Sequence, residues 1–291
     1  MTKIAGAPIS WGVCEVPGWG RVLESGQVLG EMASLGLTAT ELGPPDYLPS
    51  EPMELKALLA EHGLGLVGGF LAVVLHDPPQ VPSTVEEADR VAALLAAAGA
   101  GVLVLAAATG LDGYDERPAL TDEQWRTLIQ TSAKIADIAA GHGLRTVLHP
   151  HVGTHVERTA EVERFLADSE LQLCLDTGHL LIGGTDPVDL ARRHPDRIGH
   201  VHLKDVRADV AAQVRDGLIG YTEAVQQGIY VPLGDGDVDV EALVTLVREA
   251  GYTGWFVLEQ DTALGDDSPT DTPVRDTTRS LAHLNKILGK G

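Results

Sequence analysis

The 291-residue chain has the length of one complete eight-stranded α/β barrel with a few insertions. Its 44% hydrophobic fraction can bury a large core, and with only 4% aromatics that core is aliphatic. Forty-two acidic residues against 21 basic ones give a formal charge of −21; such a surface repels nucleic-acid phosphates and fits an acidic cytoplasmic enzyme.

Met1-Thr2-Lys3 runs straight into a strand-like segment, so no secretory leader is expected. The first strand is expected over Lys3 to Ile9, then a helix over Val22 to Ser34, stopped by Gly36. A second strand at Thr38 to Leu42 leads into Gly43-Pro44-Pro45, and a helix over Met53 to Glu61 follows. Leu64 to Phe70 reads as the third strand, with a helix at Val85 to Ala98 behind it. The fourth strand, Val102 to Ala106, precedes a long helix over Thr121 to Ala140, whose acidic first turn (Asp122, Glu123) suits the helix dipole. Strand five (Leu144 to Leu148), a helix (Ala160 to Asp168), strand six (Leu171 to Leu175) and a short helix (Pro187 to Arg193) continue the alternation. Strand seven, Ile198 to Leu203, is followed by an insertion at about 207–239. A helix over Val240 to Ala250, strand eight at Trp255 to Leu258, and a helix over Thr277 to Leu288 close the chain.

Eight strand–helix pairs imply parallel strands with right-handed crossovers. The expected fold is a single (β/α)8 barrel spanning residues 1–291, with an open doubly wound sheet as the rival. No apolar run reaches the roughly 18 residues that span a bilayer. Cys14 and Cys174 lie far apart in sequence, which argues against a disulfide framework. G-x-G-x-x-G is absent after the first strand, so no dinucleotide fingerprint is present. Cys14 has no evident partner as a nucleophile, and Ser10 lacks the nucleophile-elbow pattern.

Barrel chemistry sits at the C-terminal strand ends. Here those ends carry Glu41, His149-Pro150-His151, Asp176-Thr177-Gly178-His179, His200-Val201-His202 with Lys204-Asp205, and Glu259-Gln260-Asp261. Five of the 11 histidines fall at the ends of strands five to seven. Carboxylates and imidazoles together are ligands for Mn, Fe, Co or Zn. Each residue also has a plainer role open to it. Asp176 could be a helix N-cap. His200 and His202 share one face of their strand, the deeper His200 packing or hydrogen-bonding. Glu259 ends a buried apolar strand, where an unpaired carboxylate is costly. Asp176, His202 and Glu259 form the strongest ligand set.

At these residues the chain resembles the xylose-isomerase-like barrel superfamily of sugar isomerases, epimerases and type IV endonucleases, and within it the inosose (2-keto-myo-inositol) dehydratase group. The similar segments are Ala7-Pro8-Ile9-Ser10-Trp11, Glu41-Leu42-Gly43, His149 to Thr154, Asp176 to Leu180, His200 to Arg207, Pro232 to Gly236, Gly254-Trp255 and Glu259-Gln260-Asp261. The resemblance implies a divalent metal, Mn or Co before Zn, Fe or Mg, held by His149, Asp176, His202 and Glu259. His149 stands where epimerases carry Glu. The fourth ligand therefore stays open between His149, His151 and a water. Trp11, Glu41, His151 and Arg207 are expected around the substrate, with His179 and Lys204 facing it.

The exchange of a carboxylate for His149 suits β-elimination of water from a polyol ketone. Glu259 is the expected base, and His149, His151 or His179 the acid for the leaving hydroxyl. Lys204 adds positive charge near the enolate. An isomerase or epimerase on the same scaffold is the first rival. Elimination on an oxidised glycoside, a type IV endonuclease and a metal-free binding barrel are the others, and the acidic charge opposes DNA. Homo-oligomerisation is compatible with such a chain.

Overall fold

A computed structural model describes residues 2–289. The strands are β1 (Lys3–Gly6), β2 (Ala39–Thr40), β3 in two pieces (Gly65–Leu66 and Gly68–Val73), β4 (Val102–Ala107), β5 (Arg145–Leu148), β6 (Gln172–Asp176), β7 (Ile198–Leu203) and β8 (Trp255–Leu258). All pair in parallel. The pairing runs from the first piece of β3 through β2, β1, β8, β7, β6, β5 and β4 to the second piece of β3. Both ends of that order belong to one strand, so the sheet closes on itself across Val67. The expected barrel is the fold, and the open sheet is excluded.

The helices are α1 (Ser25–Ser34), α2 (Pro52–Glu61), α3 (Val81–Ala98), α4 (Asp122–Gly141), α5 (Thr159–Asp168), α6 (Thr177–Ile182), α7 (Pro187–Arg193), α8 (Ala208–Arg215), α9 (Tyr221–Gln226), α10 (Val240–Glu249) and α11 (Thr272–Ile287). Thr121 caps α4 in a reciprocal pair with Gln124. Several expected bounds shift. β1 ends at Gly6, because Pro8 lacks an N–H for the ladder and opens a 3-10 turn over Pro8–Trp11. α11 begins five residues early, with Pro273 in its first turn. α6 starts directly after β6, where only a strand end was expected.

Large aliphatic side chains fill the layer between strands and helices. The narrow barrel interior holds smaller ones: Ala5, Ala7, Ala39, Val67 and Val257 on one side, Val104, Val147 and Cys174 on the other. Polar residues occupy the upper end of this interior. Between β7 and β8, the short strand Asp205–Val206 pairs antiparallel with Tyr230–Val231 and anchors α8 and α9 over the barrel mouth. Among the described residues, no helix is long and apolar enough to cross a membrane.

Candidate active site and metal centre

Strand alternation brings the polar strand ends inward. β6 pairs Asp176 with His202 and Cys174 with His200, so the inward residues form layers. Asp176 Oδ1 accepts hydrogen bonds from the Gly178 and His179 amides, at 2.9 and 2.8 Å. It is thus the N-cap of α6, as the plain reading allowed. The same side chain turns its other oxygen into the site. Oδ2 is buried with no hydrogen-bond partner. It lies 3.4 Å from His149 Nε2 and 3.6 Å from His202 Nδ1. Gly178 permits this junction, because a Cβ there would stand 2.7 Å from the Tyr230 ring and 2.8 Å from Lys204 Cβ.

The histidine orientations are set from behind. His149 Nδ1 lies 2.9 Å from the Pro150 carbonyl and donates to it, which leaves the Nε2 lone pair facing Asp176. Glu41 Oε1 accepts from His200 Nε2 at 2.7 Å and His202 Nε2 at 3.1 Å. That contact turns His202 Nδ1 toward Glu259 Oε2, 3.2 Å away. His202 Nδ1 is likewise buried without a hydrogen-bond partner. Ligand atoms of Asp176, His202 and Glu259 all lie within 4.8 Å of one another. Two carboxylate oxygens converge on His202 Nδ1, a place for a proton on that imidazole or for a metal ion in its stead. Carboxylate oxygen and imidazole nitrogen suit a divalent transition ion, so the residues present fit the implied metal. His149 meets the set from the Asp176 side.

Lys204 supplies a fixed positive charge nearby. Its Nζ lies 2.7 Å from Asp261 Oδ1, 3.1 Å from Glu259 Oε2 and 3.3 Å from Asp176 Oδ2. Burial alone would strip its proton, but Asp176, Asp261 and Glu259 hold its pKa well above the usual lysine value. Burial likewise pushes Glu259 up, and His202 with Lys204 more than reverses it, so the carboxylate stays ionised. For Glu41, burial is outweighed by the charge and hydrogen bonds of His202 and His200, which hold it below the ordinary range. Burial, then neighbouring His149 and Lys204, keeps His151 neutral. Burial, then His151 and Lys204, does the same for His179.

A cavity of about 330 Å³ opens above these groups. Its wall includes Glu41, Phe70, His149, His151, His202, Lys204, Tyr221, Glu259 and Asp261. Four segments meet over it: Tyr114 donates to Glu15 at 2.8 Å, the Tyr221 amide to Asp115 at 2.7 Å, and the Trp19 indole to the Thr262 carbonyl at 2.9 Å.

The structure therefore gathers His149, Asp176, His202, Lys204 and Glu259 as expected. His151 lines the cavity, while His179 is fully buried, its ring 3.8 Å from that of His151 and its Nε2 3.0 Å from Lys204 Nζ. Glu41 reaches the wall but spends its carboxylate on His200 and His202. Two expected substrate residues are corrected. Trp11 is buried away from the cavity and donates to Glu31 at 2.8 Å, because the Pro8–Trp11 turn points its ring at α1. Arg207 precedes α8 without capping it and donates to the Gln227 carbonyl at 2.8 Å, so it braces the insertion. Cys14 lines the cavity as a thiol, its pKa raised to about 12 by burial and Glu15. Sequence reasoning named Asp261 at the end of strand eight without giving it a role, and missed Tyr221 and Tyr230. Tyr221 donates to Asp261 at 2.7 Å, and the two tyrosine hydroxyls are 2.9 Å apart. Period-two spacing from Glu259 was a signal for Asp261.

The xylose isomerase-like TIM barrel family profile matches residues 29–287. A relative named inosose dehydratase from Geobacillus kaustophilus is 36% identical over 270 residues, covering 89% of this chain and 87% of its own. Another of that name, from Geobacillus thermodenitrificans, is 33% identical over 91% of this chain and 92% of its own. In fold, the chain is similar to the structure of an L-ribulose 3-epimerase, with a TM-score of 0.69 at 19% identity over 99% of this chain and 95% of that one.

Proposed function

The chain belongs to the xylose isomerase-like TIM barrel family, and on that footing we propose that it is an inosose dehydratase, a hydro-lyase acting on a keto-inositol. The observation that carries the chemistry is the pair of orphaned, buried atoms Asp176 Oδ2 and His202 Nδ1 facing Glu259. We assign Asp176, His202 and Glu259 as ligands of a divalent ion, manganese or cobalt, with His149 Nε2 as the fourth. When bound, such an ion supplies Lewis-acid polarisation of a ketone oxygen.

The chain's own residues then divide the work. Glu259 takes the proton next to the ketone, because its carboxylate is ionised and faces the cavity. The Lys204 ammonium faces the developing negative charge and is held there by Asp261. His149 is assigned to the ion, because its Nδ1 proton is tied to Pro150 and its Nε2 faces Asp176. His151 Nδ1 is similarly tied to the Val152 carbonyl at 2.7 Å, which leaves Nε2 available to a substrate hydroxyl. His179 acts through Lys204, since it does not reach the cavity wall. We assign the charged Lys204 N–H at the cavity wall to hydrogen-bond the departing hydroxyl as well. Glu41 serves as a positioning residue for His202. The setting is cytoplasmic.

Incubation of the Mn²⁺- or Co²⁺-loaded protein with 2-keto-myo-inositol tests the reading. NMR should show a dione and mass spectrometry the loss of one water. A product of unchanged mass would make the chain an isomerase or epimerase and overturn it.

A further inference from the structure

Cys174 is a buried nucleophilic group that the reaction above does not use. Its thiol points into the barrel with no exposed surface. The β6–β7 register places it one inward layer beneath Asp176. The sulfur and one nitrogen each of His149 and His202 form a set of ligand atoms all within 4.8 Å of one another. These are the two histidines that also face Asp176.

The two sets differ in chemistry. The upper one offers carboxylate oxygens and imidazole, and the lower one offers sulfur and imidazole. Hard ions favour the former and soft ions the latter. A tetrahedral ion with Zn–S near 2.3 Å and Zn–N near 2.0–2.1 Å needs neighbouring ligand atoms roughly 3.5 Å apart.

We propose that His149, Cys174 and His202 form a second metal position beneath the first, selective for thiophilic ions such as Cd²⁺ and Zn²⁺. Because both positions use both histidines, only one is filled at a time. An ion entering the lower position forms a metal–sulfur bond and releases the thiol proton to solvent. Cd²⁺ and Zn²⁺ therefore compete with Mn²⁺ by drawing the histidines downward, away from Asp176 and Glu259. The inference rests on the upper cluster's being a divalent site, because the two share ligands.

Titration of EDTA-stripped protein with Cd²⁺, followed by ultraviolet absorption, tests it. One equivalent should produce a thiolate-to-cadmium charge-transfer band, and excess Mn²⁺ should bleach it. In Cys174→Ser the band should vanish, and the Cd²⁺ affinity should fall at least tenfold relative to that for Mn²⁺. Cys14→Ser should keep the band, which separates the two thiols of the chain. Circular dichroism checks that the variants are folded, and the Mn²⁺ competition on the unaltered protein needs no variant. Absence of the band, its survival in Cys174→Ser, or failure of Mn²⁺ to displace it would each overturn the proposal. If Mn²⁺ binds and no band forms, this inference alone falls. If Mn²⁺ does not bind either, the reading of the upper site falls with it.

Discussion

Glu259 is buried beside one imidazole and one ammonium, and it owes its ionised state to them. Glu259→Gln keeps the shape and removes the base. Exchange of the substrate α-proton into D₂O should stop and kcat should fall by about 10²–10⁴, while substrate binding measured by calorimetry persists. Wild-type exchange in the variant would move the base elsewhere, with His151 Nε2 next in line. A second residue-scale test concerns His155, packed against His76 with ring centroids 4.3 Å apart. Burial, then His76 and Arg117, lowers its pKa from 6.5 to about 4. The unfolded chain therefore takes up this proton near pH 6.5 and the folded chain only near 4. Falling pH favours unfolding across that window, so this contribution is complete above 6.5 and lost toward 4. Thermal melts at pH 7, 5.5 and 4.5 should show the decline, and His155→Asn should flatten it. An unchanged slope in the variant would assign the decline to other groups.

Among the elements, the segment between β7 and β8 depends on one carboxylate. Asp205 accepts from the amides of Val206, Gly234, Gly236 and Val238 at 2.8–3.1 Å. Gly236 has to be glycine there, since a Cβ would stand 2.3 Å from Asp205 Oδ1. This explains the Gly-Asp-Gly motif as an anchor for the segment that carries Tyr221 and Tyr230. Asp205→Ala strands four amides, two of them in the buried part of the loop. At about 1–3 kcal/mol for each buried donor left unpaired, a loss of about 3 kcal/mol is expected. Limited proteolysis should cut within 207–239 faster, and KM should rise more than kcat falls. Cleavage at the wild-type rate would show that the antiparallel ladder alone suffices.

For the whole molecule, metal loading and stability are linked. Mn²⁺ at a hundredfold excess over its Kd should stabilise the folded chain by about 2.7 kcal/mol, or roughly 4 °C in Tm. Scanning calorimetry of EDTA-stripped and loaded protein checks this, and coincident melts would argue against a site in the folded state. The barrel itself was legible because eight apolar runs recur at βα spacing in a chain of this length, with polar residues at their ends. Element bounds were less so where proline acts, as at Pro8 and Pro273. The ligand cluster was legible because strand ends share one rim. The wall residues Tyr221 and Tyr230 were not, since their contacts to Asp261 and Lys204 cross tens of residues through an insertion without periodicity. Trp11 and Arg207 were misplaced because a matching segment does not fix where a side chain points.

Asp176 divides its two oxygens between the α6 amides and the proposed ion position beside His149 and His202. The two demands jointly narrow what position 176 can be. Asparagine retains the cap and loses the charge. Glutamate retains the charge, but its extra methylene shifts both oxygens off the amides. Neither neighbour in chemical space satisfies the helix and the ion together. A drift at this position that preserves the fold should therefore disarm the enzyme, and one that preserves the charge should loosen the junction. Comparing the melting temperature with the Mn²⁺ affinity of the two variants would place them on opposite axes.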